Sequence, residues 1–391
     1  VAPDRPRVLF LAPRYPHPAH RGDQRRVLHL AQGLARHADV TLVCFAFGEG
    51  QARPVGGLRT RTVTAGVTDR VLANLRVPDP RLPLQARMFL SQRMRAVVTE
   101  ELQGRPDVVH VTLSRLGPYL PPAGPWHRHL DLIDAVSLNM ATRARSSRGP
   151  SGWPFALEAG LLARYEARCA ELADSCSVVS EDDRLRGRGL ARATVVPNGV
   201  DTDAFAYRSP RQRPPTLLFF GNLGYFHNAE PARFVAAEVF SRVRRELPEA
   251  RLQIAGARPA PAVRALGELD GVSVLGPVAS MADQLHRAAV AVVPMFSGSG
   301  IKNKVLEAFS AGTPVVANQR GILGVDGARD GEHYLGGETA DELARACLEL
   351  LRDGERRETL ANLARALVGE RYSWEHQVQR LLTLYAGGSR D

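Results

Sequence analysis

A chain of 391 residues is too long for one ordinary hydrophobic core and suits two domains of similar size. Hydrophobic residues at 44% and charged residues at 24% exclude a disordered or fibrous chain, and no apolar run approaches the ~20 residues of a membrane-spanning helix, so any membrane contact is expected to be peripheral. The formal charge of +10 favours an anionic partner, but nearly every basic residue is an Arg, evenly spread without a long basic run or a series of stacking aromatics, so no dedicated nucleic-acid surface is expected.

The opening "RVLFLAPRYPHPAHRGDQRRVLHLAQGLARHADVTLVCFA" reads as a strand over 8–11, a Pro/Gly/His loop, a helix over 24–36 and a strand over 40–45, a βαβ unit. A helix is expected over 84–102, where Arg87, Arg93 and Arg95 stand beside Met88, Phe89, Leu90 and Met94. Such a helix packs one apolar face on a sheet, or lies on an acidic membrane surface. Strands follow in "DVVHVT" and "HLDLID". The Arg/Ser/Gly-rich stretch 139–153 lacks periodicity and reads as a surface loop, before a helix over 157–173. "ATVVPNGVD" then ends in a Pro197-Asn198-Gly199 turn, with a hinge over 201–215.

After that turn "TLLFFGNLGYFHNAEPARFVAAEVFSRVRRELPEARLQIAG" repeats the opening plan: strand 217–220, a glycine loop through Asn228, a helix to 247 and strand 251–255. "VSVLGPV", "VAVVPMF" and "TPVVANQ" are short buried-type strands between helices, the pattern of a parallel sheet covered on both faces. The expected fold is therefore α/β, with two Rossmann-like parallel-sheet domains facing a central cleft, over 1–203 and 204–372. A last helix over 373–388 is expected to pack back on the first. The four cysteines lack the CxxC or CxxH spacings of zinc or redox sites, and a reducing cytoplasm is the expected setting.

The chemistry concentrates in "VAVVPMFSGSGIKNKVLEAFSAGTPVVA", a buried strand ending in a Gly/Ser loop that opens a helix at about Ile301. Loop amides and a helix N-terminus make an anion site. Lys302 and Lys304 are the only lysines of the chain, so ammonium groups stand here alone against an Arg background, as suits a phosphate. Glu307, farther into the same helix among Leu306, Ala308 and Phe309, is placed to accept both ribose hydroxyls of a nucleotide whose diphosphate lies at the helix start.

Taken with "RGDQRRVLHLAQGLARHADVTLV", "VVPNGVDTDAF", "GNLGYFHN", "VLGPV" and "YSWEHQVQRLLTLY", this stretch resembles glycosyltransferase family 4, the retaining GT-B enzymes of polysaccharide, glycolipid and natural-product assembly. The resemblance covers nearly the whole chain. It implies transfer of a sugar from a UDP- or GDP-linked donor, bound by the second domain, to a sugar, lipid-linked or natural-product acceptor on the first. Beyond the donor substrate it implies neither a cofactor nor a metal. Glu307 corresponds to the family's ribose-binding glutamate. Ser299 replaces the acid expected eight positions earlier, and the Arg and Lys often found after the first strand of the second domain are absent. That leaves Lys302 and Lys304 as the diphosphate's counter-charges, with Gly221, Asn222, Val278, Gly298, Gly300 and Ile301 lining the donor site.

In the first domain Gly22 matches the small residue that lets the loop approach the donor phosphates, and Asp23 stands where a second glycine is common. Arg14, His17, His20, Arg21 and Arg25 could hold an anionic acceptor. Ile133 takes the position of the family's sugar-facing His, with Asp134 and His110 as the remaining catalytic candidates beside Lys302 and Glu307. His127, His129 and Asp131 share a strand face without anything that completes a metal site. Asp201-Thr202-Asp203 has the DxD spelling but falls in the domain exit. Two rivals stay open at this level: a sugar-nucleotide epimerase on the same plan, and a non-catalytic nucleotide-sugar-binding subunit.

Overall fold

The computed structural model describes residues 5–19, 21–46, 55–77, 79–147, 149–297 and 300–387. Two units emerge, Val1–Asn198 with Trp374–Asp391, and Gly199–Ser373. The exit from the first unit thus falls at Asn198/Gly199, inside the Pro-Asn-Gly turn and five residues before the expected boundary at 203/204. The last helix, Trp374–Ala386, is grouped with the first unit.

Among its described residues the first unit builds a seven-stranded parallel sheet from β1 (Arg7–Ala12), β2 (Asp39–Phe45), β3 (Arg59–Val63), β4 (Val108–Thr112), β5 (His127–Asp131), β6 (Ser175–Val178) and β7 (Thr194–Val195), in the order β3-β2-β1-β4-β5-β6-β7. Strand alternation sends Val8, Phe10 and Ala12 to one face, where they meet the helix Gly22–Leu34 and Val378, Leu381 and Tyr385 of the last helix. Leu9 and Leu11 go to the other, beside Phe89, Met94, Val98 and Leu116. Burial on both faces is why these strands read as unbroken apolar runs. The last helix comes close because residue 33 is Gly: a Cβ there would lie 2.4 Å from Val378 Cγ2.

Two expectations fail in this unit. Among its described residues the stretch 139–153 is mostly helical rather than a loop. Its first part continues the helix Val136–Ser146, which packs along the helix Trp153–Leu172, and Glu166 of the latter accepts the Ser137 amide at 3.3 Å, satisfying a donor of the first turn. Tertiary pairing supplies what periodicity lacks. The helix over 84–102 is in fact two, Leu84–Arg87 and Gln92–Gln103, because Ser91 turns extended and caps the second by accepting Met94 N–H at 3.1 Å. Phe89, Leu90 and Met94 are buried there, whereas Leu84 and Met88 are exposed. An unforeseen helix, Val67–Leu75, exposes Val67, Val71 and Leu75.

The second unit repeats the plan with β8 (Thr216–Phe220), β9 (Arg251–Ala255), β10 (Val272–Gly276), β11 (Val290–Val293), β12 (Val315–Ala317) and β13 (Leu335–Gly336), all parallel, in the order β10-β9-β8-β11-β12-β13. Val200 N–H donates to Tyr372 O at 2.7 Å, joining the start of this unit to its end. Among the described residues no helix is long and apolar enough to cross a membrane.

Candidate functional site

In the second sheet the chain runs outward from β8 through β9 to β10, then returns to the other side of β8 for β11, β12 and β13. The carboxyl ends of β8 and β11 therefore flank the topological switch point, where open α/β sheets leave a crevice for ligands. Gly221 and Asn222 follow β8, and the run from Met295 to Lys304 follows β11. The loop ends are tightly stacked. Gly221 N–H donates to Ala255 O and Gly256 N–H to Gly276 O, and a Cβ on Gly256 (φ 147°) would lie 1.7 Å from Gly221 O. Only glycine fits.

The helix Asn303–Ala311 starts later than its sequence predicts: Lys302 is its extended N-cap and Gly300, at φ 68°, makes the turn into it. Residues 305–311 are all buried, Glu307 included. Lys302 Nζ donates to Gly300 O at 2.8 Å, folding its chain back over the glycine loop. Lys304 instead reaches across the switch point. Its Nζ donates to Asn228 Oδ1 at 2.8 Å, from the helix that follows β8, and stands 4.9 Å from the centre of the buried Phe219 ring. Burial, aided by the Lys302 charge and opposed by Glu307, lowers the Lys304 ammonium to about 7. This amine is half-charged near neutral pH and gains from an added anion.

Asn318, at the end of β12, holds the loop in place. Its Oδ1 accepts Met295 N–H at 2.9 Å and Gly321 N–H at 2.8 Å, while its Nδ2 donates to Met295 O at 2.9 Å. Nothing in the sequence marked it beyond an Asn directly after an apolar strand. Ile301 is buried against Gly324, and Val278 is half-buried after β10. Gly298 and Ser299 lie outside the described residues.

The remaining expected site residues belong to the first unit. Gly22 opens its first helix. Arg14 and Arg21 both pair with Asp23, at 2.9 and 3.3 Å, and Arg25 Nε donates to Ala19 O. His17 is half-buried, and His20 lies outside the described residues. Asp134 is half-buried just beyond β5, and Ile133 beside it is buried at φ 60°, a left-handed conformation that strains a β-branched residue.

His110 corrects the expectation of a lining residue: it is 0% exposed, stacked on Phe10 at 4.0 Å, with Nδ1 2.7 Å from Tyr385 Oη. Burial pushes its pKa down to about 4, so it is a neutral core histidine. His127, His129 and Asp131 are likewise engaged elsewhere. Both ring nitrogens of His129 face Ser175 and Ser177, His127 Nε2 faces Ser175, and Asp131 takes a two-pronged ion pair from Arg26 at 2.7 and 3.0 Å. Among the described residues no group of three or more His, Cys, Asp or Glu is arranged for a metal ion.

Residues 20–204 match Glycosyltransferase Family 4 and residues 214–353 match Glycosyl transferases group 1, so each unit is matched on its own. The chain belongs to glycosyltransferase family 4. This family 4 glycosyltransferase is similar to glycogen synthase of Mycobacterium tuberculosis (strain CDC 1551 / Oshkosh), 28% identical over 430 residues that cover 98% of this chain and 95% of the relative. It is also 28% identical to phosphatidyl-myo-inositol mannosyltransferase of the same organism, over 49% of this chain and 53% of that protein. Among solved structures it resembles sucrose-phosphate synthase from Thermosynechococcus elongatus, with TM-score 0.72, 18% identity and coverage of 98% and 99%. It also resembles Anabaena Alr3699/HepE in complex with UDP-glucose, with TM-score 0.68, 13% identity and coverage of 97% and 99%. The fold class is GT-B, with two Rossmann-like parallel-sheet units, and the enzyme is a transferase acting on sugars.

Proposed function

We propose that this enzyme moves a sugar from a nucleoside-diphosphate sugar to an acceptor hydroxyl, with Lys302, Lys304 and the N-terminus of the helix Asn303–Ala311 facing the diphosphate and Glu307 the ribose. The observation that carries this reading is the switch point of the second sheet, where the chain's only two lysines stand at one helix start. UDP is the first nucleotide to test, because the similar HepE structure holds UDP-glucose.

Sugar transfer is limited by departure of the nucleotide, and positive groups at the diphosphate stabilise the charge that develops as the anomeric bond breaks. Lys302 offers an ammonium at the start of the helix, and Lys304 gains charge as the anion arrives. As the family resemblance implies, the acceptor hydroxyl attacks from the leaving-group face and passes its proton to a donor phosphate oxygen, so no nucleophilic carboxylate is required. Assay of UDP release from a panel of UDP- and GDP-sugars, with and without acceptors, tests this function. No release from any donor refutes it.

Three further outcomes are expected. Transfer proceeds at full rate in chelator, because lysines and helix amides meet the diphosphate; an activity restored only by Mg²⁺ or Mn²⁺ contradicts this. The product keeps the donor's anomeric configuration, read by proton NMR coupling constants. The third concerns pH. A bound diphosphate raises the Lys304 pKa above its free value of about 7, so binding is strongest below pH 7 and weakens as pH rises from there towards the pKa of the complex. Calorimetry of UDP binding at pH 8 in buffers of different ionisation enthalpy is expected to show uptake of close to one proton in the wild type and none in Lys304→Met.

A further inference from the structure

The first sheet has a switch point of its own, between β1 and β4, since the chain runs from β1 to β2 and β3 on one side and from β4 to β7 on the other. Three guanidinium groups converge on the carboxyl ends of these two strands. Arg14 stands two residues beyond β1, Arg21 immediately precedes the helix Gly22–Leu34, and Arg115 lies three residues beyond β4. Arg14 and Arg115 flank one aromatic ring, with Cζ atoms 5.7 and 5.9 Å from the Phe89 centroid.

Two carboxylates are near, and they do not balance this charge. Asp23 is shared between Arg14 and Arg21. Glu166 is turned to Ser114 Oγ at 3.3 Å and to the Ser137 amide and hydroxyl, the last at 2.5 Å, and forms no ion pair with Arg115. Arg115 is thus left over. Its Nε is shut off from water and has no hydrogen-bond partner, and the side chain as a whole is only half-buried, so the guanidinium is held by no carboxylate of the chain while part of it stays open to solvent. Burial, then the neighbouring Arg14 charge, lowers the Arg115 pKa, and Asp23 and Glu166 oppose that shift without cancelling it.

We infer that this arginine cluster of the first unit binds an anionic group of the acceptor, a phosphate or a carboxylate, with Arg14 and Arg115 as its main ligands. A guanidinium presents a planar fork that matches two oxygens of either group, and two forks set on one aromatic ring can grip it from two sides. The inference deepens the transferase reading and rests on it for the word acceptor, while the anion site itself rests on the arginines.

The test uses the full chain with UDP at saturation, so that the second unit's anion site is filled, and titrates inorganic phosphate by calorimetry. The wild type is expected to bind one phosphate. Arg115→Gln and Arg14→Gln are each expected to weaken it at least tenfold, Arg115→Lys to recover part of the loss, and all three to bind UDP as the wild type does. Glucose 6-phosphate, glucuronate and methyl glucoside, offered as acceptors with a turnover-competent donor, then separate phosphate from carboxylate. The favoured anion should speed UDP release in the wild type, lose that effect in Arg115→Gln, and outdo the neutral glycoside. No phosphate binding by the wild type, or equal binding by the Gln variants, overturns the inference. Loss of UDP affinity in Arg115→Gln also overturns it, because the cluster then serves the donor. If the wild type fails to bind UDP, the donor-site reading falls, and Arg115-dependent phosphate binding without UDP still decides the anion site.

Discussion

Replacing Lys302 by Gln is expected to lower kcat/KM for the sugar donor roughly 10- to 150-fold, the ~1.5–3 kcal/mol of a hydrogen bond to a charged group. Gln is one bond shorter and keeps a donor but removes the charge, so diphosphate binding weakens and leaving-group departure slows together. Both KM and kcat should change, since the interaction strengthens as charge moves onto the phosphate. Glu307→Gln acts on the ribose instead. It keeps the shape and loses the anion, so the hydrogen bonds fall from charge-assisted to neutral strength. Donor affinity is expected to drop by about 1–2 kcal/mol with kcat nearly unchanged. Because Glu307 is only 8% exposed, melting curves without ligand come first, to separate a lost contact from a lost fold. Folded Lys302→Gln and Glu307→Gln proteins that bind and turn over donor like the wild type would remove the donor site from this helix.

What could be read without coordinates follows from how local each signal is. The β1 run "VLFLA" and the β11 run "VAVV" are buried on both faces, so their composition alone announces a parallel sheet. The lysines of the glycine loop stood out because every other long basic side chain is Arg. Contacts between distant segments were not legible. Arg26 lies in a run of similar arginines, and only the fold reveals that Arg26, rather than Arg25, turns inward to a carboxylate 105 positions away. The Glu166 contacts that start the helix Val136–Ser146 are equally remote, and so that helix looked like a loop. His110 escapes sequence reading for a related reason: it lies mid-strand in β4, and only the fold brings Phe10 and Tyr385 over its ring. The break before Gln92 had a local signal, since Ser91 is a good cap, but the apolar residues on either side hid it.

Arg26→Met is expected to be the most damaging single substitution outside the donor site, destabilising the first unit by about 3–5 kcal/mol, the usual cost of removing one partner from a buried ion pair. Arg26 is 0% exposed and donates to both Asp131 oxygens, to Pro197 O and to Asn198 Oδ1, so it joins β5 to the end of the unit. Burial alone would raise the Asp131 carboxyl; the Arg26 guanidinium outweighs it and holds the group below its ordinary value. Without Arg26 the carboxylate keeps the hydrogen bonds of Ser177 Oγ at 3.0 Å and Ile133 N–H at 3.3 Å, with the neutral His110 ring 4.0 Å away. The contribution of this cluster to the pH dependence has a definite sign. Asp131, His110 and His129 have folded pKa values below their ordinary ones, so through them the unfolded chain binds more protons in acid and stability falls as pH drops, first below about 6.5 through the histidines and then lower through Asp131, while Glu166, raised by burial to about 7, offsets part of the fall. Urea unfolding followed by tryptophan emission isolates the effect, because Trp126, Trp153 and Trp374, all the tryptophans of the chain, belong to the first unit. Arg26→Met with Asp131→Leu removes both charges at once and is expected to regain much of the loss, since two apolar side chains avoid desolvating an ion pair. A single Arg26→Met change that costs under about 1 kcal/mol, or a double variant no more stable than the single, would show that the pair does not hold the unit together.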